Sequence, residues 1–150
     1  MTKKPYAITL ALLAMIVFSH VVASFSQTRR SVSGAEATGT FRAKGGNEFK
    51  ILALGKGKLK IAFTGLYEYK YKGDPIANTG EAAGTADIAG DTAIFKPEGT
   101  QGCAITIKFK PGGTIAVSQD GDDASCGFGL HVYSDGSYRK ISGKRPKFGQ

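Results

Sequence analysis

From Gly39 onward apolar and polar residues alternate with period two, the pattern of half-buried strands. The clearest run is Lys58 to Lys72. Leu59, Ile61, Phe63, Tyr67, Tyr69 and Tyr71 fall on one face, and Lys58, Lys60, Thr64, Glu68, Lys70 and Lys72 on the other. A helix would scatter those aromatics around its circumference, so the run is one long strand or two strands meeting at Gly65. Phe41 and Ala43 alternate with Thr40, Arg42 and Lys44, and Ala93 and Phe95 with Thr92 and Lys96. Cys103, Ile105, Ile107 and Phe109 face away from Thr106, Lys108 and Lys110. Glu48 to Leu54 is apolar enough to be buried on both sides near its end. Turn sequences punctuate these runs: Gly45-Gly46-Asn47, Gly55-Lys56-Gly57, Lys72-Gly73-Asp74-Pro75, Gly90-Asp91, Pro111-Gly112-Gly113 and Asp135-Gly136.

The expected fold is therefore all-β, a single antiparallel meander of about eight strands over residues 39–142, closed into a small barrel that leaves no sticky edge. A two-sheet β-sandwich is the alternative. The expected interior is Phe49, Ile51, Leu59, Ile61, Phe63, Phe95, Ile105, Ile107, Phe109, Ile115 and Val117.

Residues 1–26 have the order of an export signal: Lys3 and Lys4, an apolar run from Tyr6 to Phe18, then small residues. Ser19 and His20 interrupt the run short of the ~20 apolar residues a membrane anchor needs. Cleavage is expected between Ala23 and Ser26, with no stable membrane span afterwards, in a periplasmic or extracellular protein. Residues 27–38 are small, polar and without period, which predicts a flexible lead-in. Residues 143–150 form a basic tail in which Gly143, Pro146 and Gly149 oppose regular structure, so it is expected to be mobile.

Cys103 and Cys126 form an even pair in an exported chain, which predicts a disulfide. Antiparallel pairing across the 111–114 turn brings their strand ends to the same edge. Two thiols are too few for a four-ligand zinc site, and neither follows the apolar run where a lipid-bearing cysteine would stand.

Formal net charge is +8, and loss of Lys3 and Lys4 with the signal leaves +6. Such a surface favours anionic partners: an envelope glycan, a lipid headgroup or an acidic secreted protein. Export makes nucleic acid an unsuitable partner. The candidate ligand-binding residues are Lys58, Lys60, Lys70, Lys72, Lys108 and Lys110, which all point away from the apolar faces of their strands. If those strands are neighbours, the lysines make one basic patch with few acids in it. The bland alternative is a solvated surface that keeps sheet edges apart.

Catalytic motifs are missing. Outside the signal the one histidine is His131, and no metalloprotease, nucleophile-elbow or phosphate-loop pattern occurs. The expectation is a non-enzymatic monomer that needs no cofactor. Asp120, Asp122 and Asp123 place oxygen donors close together as calcium ligands do, but lack the distal glutamate of an EF-hand loop.

Two resemblances extend this reading. Gly39-Thr40-Phe41 resembles the G-x-W opening of lipocalin-like (calycin) barrels, with phenylalanine for tryptophan. The resemblance implies eight antiparallel strands around a ligand cavity, with Arg139 or Lys140 packed over the ring. Gly102 to Ile107, Cys126-Gly127-Phe128-Gly129 and Asp135 to Lys140 resemble a group of small exported bacterial proteins with a C-x-I-T-I-x-F strand and a C-G-F-G…D-G-x-Y-x-K ending. That likeness implies compartment, disulfide and fold, not chemistry. The alternative functions are thus a lipocalin-like carrier of a small apolar ligand and an inhibitor of a secreted hydrolase such as lysozyme. C-type lysozyme is itself basic, so like charge disfavours the inhibitor.

Overall fold

The computed structural model describes residues 30–149, so the predicted signal lies outside the described residues. Eight antiparallel strands follow one another around a closed barrel, with β8 returning to β1. They are β1 (Gly39–Ala43), β2 (Glu48–Gly55), β3 (Lys58–Tyr71), β4 (Asp74–Ala89), β5 (Thr92–Phe95), β6 (Ala104–Lys110), β7 (Thr114–Asp120) and β8 (Gly136–Ser142). Closure excludes the sandwich. Among the described residues no helix is long and apolar enough to cross a membrane.

All eleven residues expected inside are buried, joined by Phe41, Tyr138 and Val132. These rings and aliphatic chains fill the barrel. Phe49 packs edge-on to Tyr138 at 5.0 Å between centroids and tilted against Phe63 at 4.8 Å. Full burial of such a side chain stabilises the fold by about 1.5–3 kcal/mol. Ile51 and its outward neighbour Leu52 are both buried, in line with the apolar end of that strand.

The predicted lead-in is ordered where it meets the barrel. Residues Gly34–Ala37 form a short helix, α1, whose Ser33 and Glu36 exchange side-chain-to-backbone bonds at 3.2 and 2.9 Å. Bonding to Ser33, and then the Arg30 charge, holds the Glu36 carboxyl below its usual range. Lys140 Nζ donates to the carbonyls of Ala35 and Glu36 at 3.1 and 2.6 Å, which would otherwise be orphaned at the helix end. The same ammonium lies 5.1 Å from the centre of the Phe41 ring, so Lys140 rather than Arg139 is the cation over that ring. A polar, aperiodic segment becomes ordered because its backbone is satisfied and Ala37 is buried.

The opposite end is plugged by the β7–β8 connection. The Cys103–Cys126 disulfide, with Cα atoms 4.9 Å apart, ties this loop to the start of β6. Closing a loop of this length restricts the unfolded chain by ~3 kcal/mol. Phe128 and Val132 enter the barrel mouth over Gly80 and Gly65, which face each other across β3 and β4. A Cβ on Gly65 would lie 2.6 Å from the Phe63 ring, and one on Gly80 2.9 Å from Phe128. Beneath the plug, Tyr138 donates its hydroxyl to the Ser134 carbonyl at 2.7 Å, and the Ser134 hydroxyl meets Gln119 Oε1 at 2.9 Å.

Past this glycine pair the long hairpin leaves the barrel. Tyr67, Tyr69 and Tyr71 keep the inward face of β3, but past the barrel mouth only the His131 ring meets Tyr67, and all three are exposed. Here the alternation predicted the face correctly but not its depth.

Two outcomes are expected. Gly65→Ala and Gly80→Ala each lower stability by about 1–3 kcal/mol in urea unfolding, because the plug cannot give way. Gly45→Ala, with open space around its Cβ, leaves the midpoint unchanged. Second, burial raises the Tyr138 phenol well above its usual value of 10.0. The unfolded chain ionises first, so the stability from Tyr138 is full below about pH 10 and is lost as pH rises further. Tyr138→Phe should flatten that alkaline decline in thermal melts, and cost about 1 kcal/mol at neutral pH for the lost hydrogen bond.

Candidate functional site

The six candidate lysines are all exposed on outward positions, but they do not form one patch. Lys58, Lys60 and Lys70 lie on β3, Lys72 in the turn that follows it, and Lys108 and Lys110 on β6. β4 and β5 stand between these two strands. At ~4.8 Å per strand, the two rows are on the order of 14 Å apart. Lys70 and Lys72 ride on the projecting hairpin, about 33 Å or more along β3 from Lys60.

Between the rows runs an open groove of about 1020 Å³. Its depth follows from the sequence of its floor. β5 is only four residues long, and Thr85, Ala89 and Thr92 raise little side chain above the sheet, with the exposed Ile94 standing among them. Lys108, Lys96 and Arg30 line the groove, with Lys58 beside it.

Acids do enter this surface. Lys58 Nζ meets Asp87 Oδ1 at 2.7 Å, and Lys108 Nζ lies 4.0 Å from Asp91 Oδ2. The Thr92 hydroxyl, and then the Lys108 and Lys110 charges, hold the Asp91 carboxyl below its usual range. The Lys58–Asp87 pair has side chains 60% and 79% exposed, and such pairs contribute only about 0–1 kcal/mol. A ligand anion can therefore replace Asp87 on Lys58 at small cost. Arg30 is engaged already, donating to the Phe109 carbonyl at 3.1 Å and to Glu36 at 2.5 Å.

Lys60 belongs to a second groove of about 770 Å³, with Lys50, Thr64, Glu81 and the C-terminal tail. Its ammonium lies 4.8 Å from the centre of the Phe148 ring. The tail forms no strand past Ser142, but it does not hang free: Pro146 and Phe148 are half-buried.

Two groove residues, Lys96 and Arg30, are not among the six candidates. Lys96 continues the outward series Thr92, Ile94, so the signal was present. Arg30 sits in a segment without period, where no pattern marks it.

Among the described residues no His, Cys, Asp and Glu cluster has metal-binding geometry. Asp122 accepts the Ser125 amide at 2.7 Å, and Asp123 accepts the amides of Ala124 and His131 at 2.8 and 2.6 Å. These carboxylates build the plug loop. His131 lies in that loop at φ 65°, not on a strand, with its ring 5.2 Å from Tyr67. No protein-family model, curated protein or solved structure matches the chain.

Deleting residues 143–150 removes Phe148 from Lys60 and takes away Lys144, Arg145 and Lys147. The expected result is a loss below about 1 kcal/mol in thermal unfolding, the scale of one exposed cation–π contact. Earlier elution from a polyanion column is expected alongside it.

Proposed function

We propose that this is a non-enzymatic exported binding protein that holds an extended anionic component of the cell envelope along the groove between β3 and β6. The observation that carries the reading is the basic lining of this groove: Lys108, Lys96 and Arg30 line it and Lys58 stands beside it, over the strands β4 and β5. A strand-aligned channel suits a chain of phosphate or carboxylate groups better than a single compact anion. Ammonium groups and threonine hydroxyls supply recognition. The groove's two carboxylates, Asp87 and Asp91, are engaged with lysines, and neither histidine nor thiol lines it. The filled barrel interior favours a ligand held outside over one carried within. The signal-like residues 1–26 and the disulfide support export, since such bonds persist in oxidising compartments.

Lys58→Gln with Lys108→Gln should weaken binding to a soluble poly(glycerol phosphate) about thirtyfold at physiological salt, at ~1 kcal/mol per cation. Lys44→Gln, in the β1–β2 turn, should change it less than about twofold. Parallel titration with phosphatidylglycerol vesicles distinguishes glycan from headgroup. Equal losses for Lys44→Gln and the double variant would refute the groove.

A further inference from the structure

The β3–β4 hairpin outruns every strand around it. β2 stops pairing at Glu48 opposite Thr64, and β4 gains β5 only at Ala86. Beyond Thr64 the hairpin is a two-stranded ribbon, an arrangement that is marginal in water alone. One face carries Tyr67, Tyr69 and Tyr71, which are 40%, 38% and 56% exposed, with Ile76 opposite Tyr69. Such a concentration of exposed aromatics marks an interaction surface.

The two edges of the ribbon differ. On β3, the Leu66 amide points outward, where Asn47 Oδ1 accepts it at 2.9 Å. Backbone direction alternates along a strand, so Glu68 and Lys70 also turn N–H and C=O to that open side. On β4 the Thr79 and Ala83 carbonyls already accept amides from Gly129 and Glu98. The same alternation puts Pro75, which has no N–H, on that edge. The β3 edge is the one able to pair.

We infer that residues 67–71 pair antiparallel with the same segment of a second copy, about a two-fold axis at Tyr69. This register sets Glu68 opposite Lys70 of the second copy, and Lys70 opposite its Glu68, both as hydrogen-bonded pairs. A slip by one such pair in either direction sets Glu68 against Glu68 or Lys70 against Lys70. Like charges directly opposite are destabilising, so charge selects one register. Tyr67 then faces Tyr71 of the second copy and Tyr69 faces Tyr69, all on one side. Two marginal ribbons become one four-stranded sheet with a continuous tyrosine face, and the barrels stand at opposite ends. This dimer takes the place of the monomer expected from sequence.

Sedimentation velocity over a range of protein concentrations tests it, together with oxidative cross-linking. The wild type should show a concentration-dependent dimer. Lys70→Glu should weaken it about tenfold, and Glu68→Lys with Lys70→Glu should restore it to within about threefold. Residues 69 of the two copies form a non-hydrogen-bonded pair with Cα atoms ~4.5 Å apart, within disulfide range. Tyr69→Cys should therefore cross-link, while Tyr67→Cys, whose counterpart is displaced along the strand, should not. Circular dichroism and the intact Cys103–Cys126 mass confirm each variant's fold. A wild type that stays monomeric at all concentrations overturns the proposal. So does equal cross-linking at 67 and 69, or a charge swap that fails to restore the dimer.

Discussion

Unequal strand length shapes this molecule. β3 and β4 have 14 and 16 residues, whereas β5 has four and β1 five. A closed barrel covers a strand only as far as its neighbours reach, so half of the long hairpin lacks lateral partners. The groove lies over the short β5. The ribbon with its open edge is the excess of β3 and β4. The plug sits where the two regimes meet, at the Gly65–Gly80 pair, where missing side chains admit Phe128 and Val132. Groove, ribbon and plug are three consequences of one mismatch.

The two barrel ends are closed by different means. At one, α1 is held by the buried Ala37 and by the Lys140 ammonium, shared between two carbonyls and the Phe41 ring. Burial lowers the pKa of that ammonium, and the Glu36 charge opposes the shift. At the other, a covalent tie from Cys103 to Cys126 restrains a loop whose aspartates accept its own amides. Between these closures the barrel interior is filled by side chains. On its outer surface, cations line the groove and tyrosines cover one face of the ribbon.

Alternation along the chain was enough to specify strand faces, an all-β fold and all eleven named core residues, because side-chain direction in a strand depends only on parity, while the choice of closed barrel over sandwich was left to the tertiary structure. The cysteine pairing was equally legible, from the even pair of cysteines and hairpin geometry. Parity carries no information about where a neighbouring strand ends. It therefore assigned Tyr67, Tyr69 and Tyr71 to the inward face without revealing that the barrel stops short of them. It also could not say that two lysine-bearing strands are separated by two others, which turned one expected patch into two rows and a distant tip. The order of α1 depended on contacts with residues a hundred positions away, such as Lys140, and no local pattern encodes those. Local periodicity determined what each strand is, and closure of the barrel decided what each side chain meets.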